Sequence, residues 1–195
     1  CTSLRRIIFT STQYVHQFHG IPKYDEEFFP LGFYGQSKVL TEKIVRKAGL
    51  KCVWCIIRPT NIWGPWHNIY PEGLWKQLLR RRYMHPDNNK IIRSYGFVGN
   101  VVYQIYKLLS AEPVLIDKKV FYVGDEPVDL YKWVNTFSLK LSGYGVKIVP
   151  SYILIILAKF GDLLRICKIQ FPLTSSRFKN MITDNPCDMK KTFIV

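Results

Sequence analysis

The chain has 195 residues, 48% hydrophobic and 15% aromatic, with 28 Lys and Arg against 14 Asp and Glu for a formal charge of +14. That length and apolar content suit one domain, or a compact domain with a smaller appendage, and exclude a disordered polyelectrolyte. The basic balance predicts anionic partners, whether phosphorylated small molecules, nucleic acid or an acidic membrane surface.

In chain order, the first strand is RRIIFTST, from Arg5 to about Thr12, ending in the hydroxyls of Ser11 and Thr12. His16 and His19 follow in HQFH without further ligands nearby in sequence, so no metal site is expected. A loop rich in Gly, Pro and charge, HGIPKYDEEFFPLG, leads into FYGQSKVLTEKIVRKAG. That stretch has helical periodicity through Tyr34, Lys38, Thr41 and Val45 and stops at Gly49, a residue suited to close a helix. Next comes KCVWCIIRP, a strand ended by Pro59. Cys52 and Cys55 form a C-x-x-C there, but positions i and i+3 of a strand face opposite ways, so they read as buried thiols rather than a redox or zinc pair. The five cysteines, Cys1, Cys52, Cys55, Cys167 and Cys187, are scattered and odd in number, unlike a disulfide framework.

Strand, helix and strand with nearly uninterrupted apolar strands indicate a parallel sheet covered on both faces, half of a doubly wound α/β architecture. After the turn TNIWGPWHN the texture changes. PEGLWKQLLRRRYM reads as helix, NKIIRSYGFV as extended, NVVYQIYKLLSA as helix and KVFYVGDE as a strand. VDLYKWVNTFSLKLSG is a helix closed by Gly143, and PSYILIILAKFGDLLRIC an amphipathic helix from Pro150. The remainder, FPLTSSRFKNMITDNPCDMKK, is loop-rich. The basic run from Trp75 to Arg93 reads first as a solvated helix face and second as a docking surface. The apolar run SYILIILAKFGDLLRICKI is cut by Lys159 and Asp162 and falls short of the ~20 apolar residues that span a bilayer, so a core or interface helix is expected. No signal-peptide pattern is present and a cytoplasmic location follows by default, with peripheral membrane contact left open. The expected division is residues 1–65 as an incomplete Rossmann-like catalytic part. Residues 66–195 then form a mainly substrate-binding region that returns a strand and helix to the sheet at about 119–142.

Lys38 follows Tyr34 by four residues, one helical turn along the same face. An ammonium beside a phenol favours the phenolate, and such a Tyr exchanges protons with an alcohol as general acid or base. The spacing recurs at Tyr103 and Lys107, so it decides nothing alone. Around Tyr34, however, two strands end in FTST and RPTNIWGP, and parallel sheets bind ligands at their carboxyl ends. Tyr103 lies in VVYQIYKLL and is expected in the core, with Lys107 at the surface.

The ordered set FTST, YGQSK, RPTNIWGP, RSYGFVGNVV and VFYVGDEPVDLYKWV resembles the extended short-chain dehydrogenase/reductases, the NAD-dependent epimerase/dehydratase family, over almost the whole chain. The resemblance implies the C-terminal part of a Rossmann-like doubly wound parallel sheet with a smaller mixed α/β substrate-binding region. It implies Tyr34 as acid/base and Lys38 on the nicotinamide ribose, with Thr12 bonding the reacting oxygen. Ser11 and Pro59 would border the cofactor, NAD or NADP, while Asn61, Arg93 and Arg177 would contact a nucleotide sugar, chiefly its phosphates. A homodimer is a further implication, and no nucleic-acid partner is expected.

Two departures qualify this. The family's G-x-x-G-x-x-G turn, which holds the dinucleotide pyrophosphate, is not in this sequence. An upstream segment is therefore expected to be missing, leaving the chain catalytically incomplete and a poor NAD binder by itself. The sugar 4,6-dehydratases carry an Asp-Glu pair after the catalytic Thr, where this chain has Gln13 and Tyr14, so epimerisation or simple hydroxyl/ketone redox is favoured over dehydration. The alternatives are a 3β-hydroxysteroid dehydrogenase-like alcohol oxidoreductase, whose greasy pocket the apolar helix Tyr152 to Ile166 would help form, and a non-catalytic basic module on the same fold.

Overall fold

The computed structural model describes residues 4–17, 21–30, 32–87 and 90–195; Cys1 and His19, weighed above, lie outside these. Along the chain come β1 (Arg6–Thr10), a 3-10 turn (Gln13–Val15), α1 (Gly32–Lys47), β2 (Val53–Pro59), β3 (Asn61–Trp63), a π-helical turn (Pro71–Trp75), α2 (Lys76–Leu79), β4 (Met84–Pro86), β5 (Ile92–Arg93) and β6 (Tyr95–Phe97). There follow α3 (Val98–Ser110), α4 (Pro113–Ile116), β7 (Lys119–Val123), β8 (Val128–Asp129), α5 (Leu130–Ser142), β9 (Lys147–Val149), α6 (Ser151–Ile166), α7 (Ser175–Met181) and α8 (Lys190–Phe193). The chain divides into two compact units, one of Cys1–Trp66, Arg93–Pro127 and Asn185–Val195, the other of His67–Ile92 and Val128–Asp184.

The first unit is built on a parallel sheet in the order β1-β2-β7. Its register runs from Arg6 opposite Val53 to Thr10 opposite Ile57, and from Cys55 opposite Lys119 to Pro59 opposite Val123. The central strand β2 is buried along most of its length, and its period of two sorts its side chains between two cores. Trp54 and Ile56 join Val120 and Val45 of α1 on one face. Cys55 and Ile57 join Phe121, Val123, Val101 and Leu108 of α3, and Ile116 of α4, on the other. Helices on both faces of a parallel sheet are the doubly wound α/β architecture, and they explain why β2 lacks polar alternation. Cys55 is buried, which pushes its thiol up to about 11 against the opposing pull of Arg6, and Cys52 precedes the strand; both are free thiols. Arg6 donates to the carbonyls of Leu108 (2.9 Å), Leu109 and Ala111 (2.6 Å), a cation on the C-terminal end of α3.

In the second unit β4 and β9 pair in parallel, and Leu154, Ala158 and Phe178 join α6 to α7 over Met84, Val149, Leu157 and Leu173. Around the π-helical turn and α5, Trp75 packs on Phe137 (4.3 Å between centroids) and on Trp133 (5.6 Å), and stacks on Tyr70 (5.5 Å). The Asp129 carboxylate caps α5 by accepting from Lys132 N at 3.2 Å, and Gly143 ends it at φ +74.

Three expectations are corrected. The helix expected over PEGLWKQLLRRRYM is a π-helical turn and one α-helical turn that stop at Leu79, with Arg81 in the left-handed region (φ +55) against the Tyr144 ring. The tail expected to be loop contains α7 and α8, and Thr174 caps α7 by accepting from Arg177 N. Tyr103 is not core: Val101, Ile105 and Leu108 define the packed face of α3, and Tyr103, on the opposite side, is 63% exposed.

Candidate active site

The site lies within the first unit, at the carboxyl ends of β1 and β2. Beyond Thr10 the chain continues the ladder for one bond, Ser11 N to Ile57 O at 2.7 Å, and then turns. The Thr12 side chain caps that turn by accepting from Tyr14 N at 3.4 Å, and Thr12 is buried. The first turn of α1 comes against this segment because residue 35 is glycine: a Cβ there would sit 2.6 Å from Tyr14 O and 3.1 Å from Pro30 Cβ. Tyr34, its neighbour, is 57% exposed. One turn on, Lys38 donates to Thr10 O at 3.0 Å, tying α1 to the end of β1 and leaving two of its three ammonium hydrogens for other acceptors.

One turn further, Glu42 is 1% exposed and sits at the centre of a buried network. Its Oε1 accepts from Ser11 Oγ at 2.6 Å and from Arg58 Nε at 2.9 Å, and its Oε2 accepts from Arg58 Nη2 at 2.8 Å. Arg58, fully buried, also donates to the Tyr122 hydroxyl (3.1 Å) and to Asp25 O (2.5 Å). Burial works against the guanidinium charge, but the bonds to Glu42 and the Tyr122 hydroxyl outweigh it and hold the Arg58 pKa above its ordinary value. Burial pushes the Tyr122 phenol up to about 12, with Arg58 pulling the other way. This bidentate pair fixes α1 against the ends of β1 and β2.

Next to it, Tyr14 donates to Asn61 Oδ1 at 2.5 Å, and Gln13, with no exposure, accepts from Cys187 Sγ at 3.3 Å. Burial raises the Tyr14 phenol, and the nearby Arg93 guanidinium lowers it. Burial likewise raises Tyr95, again opposed by Arg93, which shares a hydrogen bond with it. Pro59 ends β2, where Thr60 N donates to Val123 O at 3.0 Å.

Of the residues expected from sequence, Ser11, Thr12, Lys38, Pro59 and Asn61 are therefore gathered at these strand ends, with Tyr34 on the adjoining turn of α1. Arg93 is linked to them through Tyr14. Arg177 belongs to the second unit, in α7, where it donates to Pro172 O at 2.6 Å. Sequence reasoning missed Gly35, Glu42 and Arg58. A charged Arg inside the apolar strand VWCIIRP, and a Glu one turn past Lys38, were the available signals. Among the described residues no group of three or more His, Cys, Asp or Glu could hold a metal ion.

No family model and no curated protein matches the chain. Solved structures do. UDP-glucuronic acid 4-epimerase from Bacillus cereus, in complex with UDP-glucuronic acid and NAD, is 16% identical with a TM-score of 0.64, covering 100% of this chain and 56% of that one. MoeE5 in complex with UDP-glucuronic acid and NAD is 16% identical with a TM-score of 0.62, covering 98% and 58%. dTDP-glucose 4,6-dehydratase from Bacillus anthracis, in complex with NAD, is 18% identical with a TM-score of 0.55, covering 74% and 49%. The chain spans a little over half the length of the first two. At this level of identity the likeness is one of fold, and the chain has the Rossmann-like α/β fold of these nucleotide-sugar epimerase and dehydratase structures.

Proposed function

We propose that these residues form the catalytic side of an NAD-dependent epimerase or dehydrogenase of the extended short-chain dehydrogenase/reductase family, acting on a hydroxyl or ketone of a nucleotide sugar. The observation that carries the reading is the placement of Thr12 and Lys38 at the end of β1, with Lys38 bonded to Thr10 O at 3.0 Å, Tyr34 one turn before it on α1, and α1 held by Glu42 and Arg58. The neighbours that share the fold are, by name, complexes with NAD or with both NAD and UDP-glucuronic acid.

The residues present fit the nicotinamide-ribose end of such a cofactor. Lys38 has ammonium hydrogens to spare for ribose hydroxyls, and the close approach of Gly35 to Tyr14 O seats the first turn of α1 against the segment after β1. The bound cofactor would supply the hydride acceptor and donor. Tyr34 then takes the hydroxyl proton at its phenol oxygen or returns it, and Thr12 donates a hydrogen bond to the same substrate oxygen. Lys38 orients the ribose. Asn61 and Arg93 lie on the substrate side, where the guanidinium offers a fork for phosphate. Gln13 and Tyr14 provide no carboxylic acid after Thr12, which favours epimerisation or hydroxyl/ketone redox over loss of water.

Because the chain spans little more than half of its neighbours, the activity is proposed for a polypeptide that carries these 195 residues. The test is a panel of nucleotide sugars and sterols offered with NAD or NADP, followed by product analysis. Turnover of a nucleotide sugar with NAD supports the reading; turnover of sterols alone points to the steroid dehydrogenase-like alternative and removes it.

A further inference from the structure

We propose that the outward face of α6 docks on an anionic lipid surface, the helix lying in the plane of the interface. This stands independently of the catalytic reading. The helix has two apolar sides. Leu154, Ala158 and Gly161 form the inner one, buried against α7 and the segment before it. Gly161 sits so tightly that a Cβ would come 1.9 Å from Leu173 O, so the orientation of α6 about its axis is fixed. On the opposite side Tyr152 (65% exposed), Ile156 (64%), Phe160 (50%), Leu163 (58%) and Ile166 (79%) recur at helical spacing and form one apolar face, with Lys159 set among them. A helix with large apolar residues on two opposite sides normally has both covered, and no described residue of the second unit covers these. Water is a poor neighbour for so many large side chains in a row.

Two properties select lipid. The first is charge. Lys159 stands among the stripe residues, Lys168 follows just beyond the end of the helix, and the single acid of the helix, Asp162, is engaged in accepting from Ser175 N at 3.3 Å. The second unit carries thirteen Lys and Arg against five Asp and Glu. A second copy packed on the same face would bring like charges together, which disfavours self-association. Anionic headgroups instead take the ammonium and guanidinium groups while the stripe enters the acyl boundary, with Lys159 extending its stem toward the headgroups. The second is length. Sixteen residues rise about 24 Å, short of the ~30 Å hydrocarbon core, and no helix among the described residues is long and apolar enough to cross a membrane. Lying flat is the geometry that remains, and Tyr152 near one end is a side chain suited to the headgroup boundary.

The test is co-sedimentation of the 195-residue chain with vesicles of phosphatidylcholine alone or mixed with phosphatidylglycerol, at low and high salt. Binding is expected to the mixed vesicles, weaker with added salt, and reduced about tenfold or more in Ile156→Glu/Ile166→Glu. Ile156→Gln/Ile166→Gln should fall in the same direction, which separates lost apolar contact from added negative charge. Both positions are solvent-exposed, so the circular dichroism of the variants should match the parent, and the Gln pair carries the test if the Glu pair does not fold. Equal binding to neutral and anionic vesicles, or binding that survives both double variants, overturns the proposal. So does a concentration-dependent dimer that Ile156→Gln/Ile166→Gln abolishes in a chain that binds no vesicle.

Discussion

Glu42 is the residue on which the candidate site depends most. Its carboxylate is an acceptor that Ser11 and the Arg58 fork share, and both charges of the pair are essentially without solvent. Replacing it strands a buried guanidinium, so Glu42→Ala should cost about 3–5 kcal/mol, read from the denaturation midpoint. Glu42→Leu/Arg58→Met, which removes both charges and keeps volume, should recover most of that loss; a double variant as unstable as the single one would contradict this account of the pair. The positions of Thr12 and Lys38 at the end of β1 were legible in sequence because chain order and the strand-end hydroxyls singled them out. The Glu42–Arg58 pair was not, since a sequence does not say which acid an embedded Arg will meet. Tyr103 shows the opposite failure. Apolar neighbours suggested core, but helix phase decides burial, and Val101, Ile105 and Leu108 had already taken the packed face.

At the scale of elements, close backbone approach sets how helices are held. Gly161→Ala must drive α6 away from Leu173 O, and a loss of about 1–3 kcal/mol is expected, as for other overpacked sites. Gly73→Ala is the control, because a Cβ there meets nothing within 4 Å. If the two variants unfold at the same denaturant concentration, the tight contact is not what positions α6. The parallel strands and α1 were readable because their patterns are long: an apolar run for β2, and a four-residue repeat closed by Gly49 for α1. The three-residue strands β4 and β9 pair across more than sixty residues of sequence and carry no periodic signal of their own. The short helices α7 and α8 were missed for the same reason, although Thr174 ahead of Ser175 was a usable cap signal.

For the molecule as a whole, two kinds of information are distributed unevenly. The α/β class and the position of the site follow from strands and helix in the first unit, where sequence pattern is strong. The second unit is held by ring packing, the packing of α6 on α7 and short strands, and its stability should respond to pH through His85. That imidazole is buried, and burial lowers its pKa from the usual 6.5 while Asp129 opposes the shift. The folded state therefore resists protonation, and stability present above about pH 6.5 should fall as pH drops below it. His85→Gln should flatten that dependence between pH 7.5 and pH 5.5, and an unchanged slope would assign the effect elsewhere. The central claim, that Tyr34 rather than its twin Tyr103 handles the proton, is tested most directly by NAD-dependent turnover of a nucleotide sugar in a polypeptide carrying these residues. Tyr34→Phe should lose about a hundredfold or more while Tyr103→Phe keeps parental activity; full activity in Tyr34→Phe, or equal losses in both, would contradict the account.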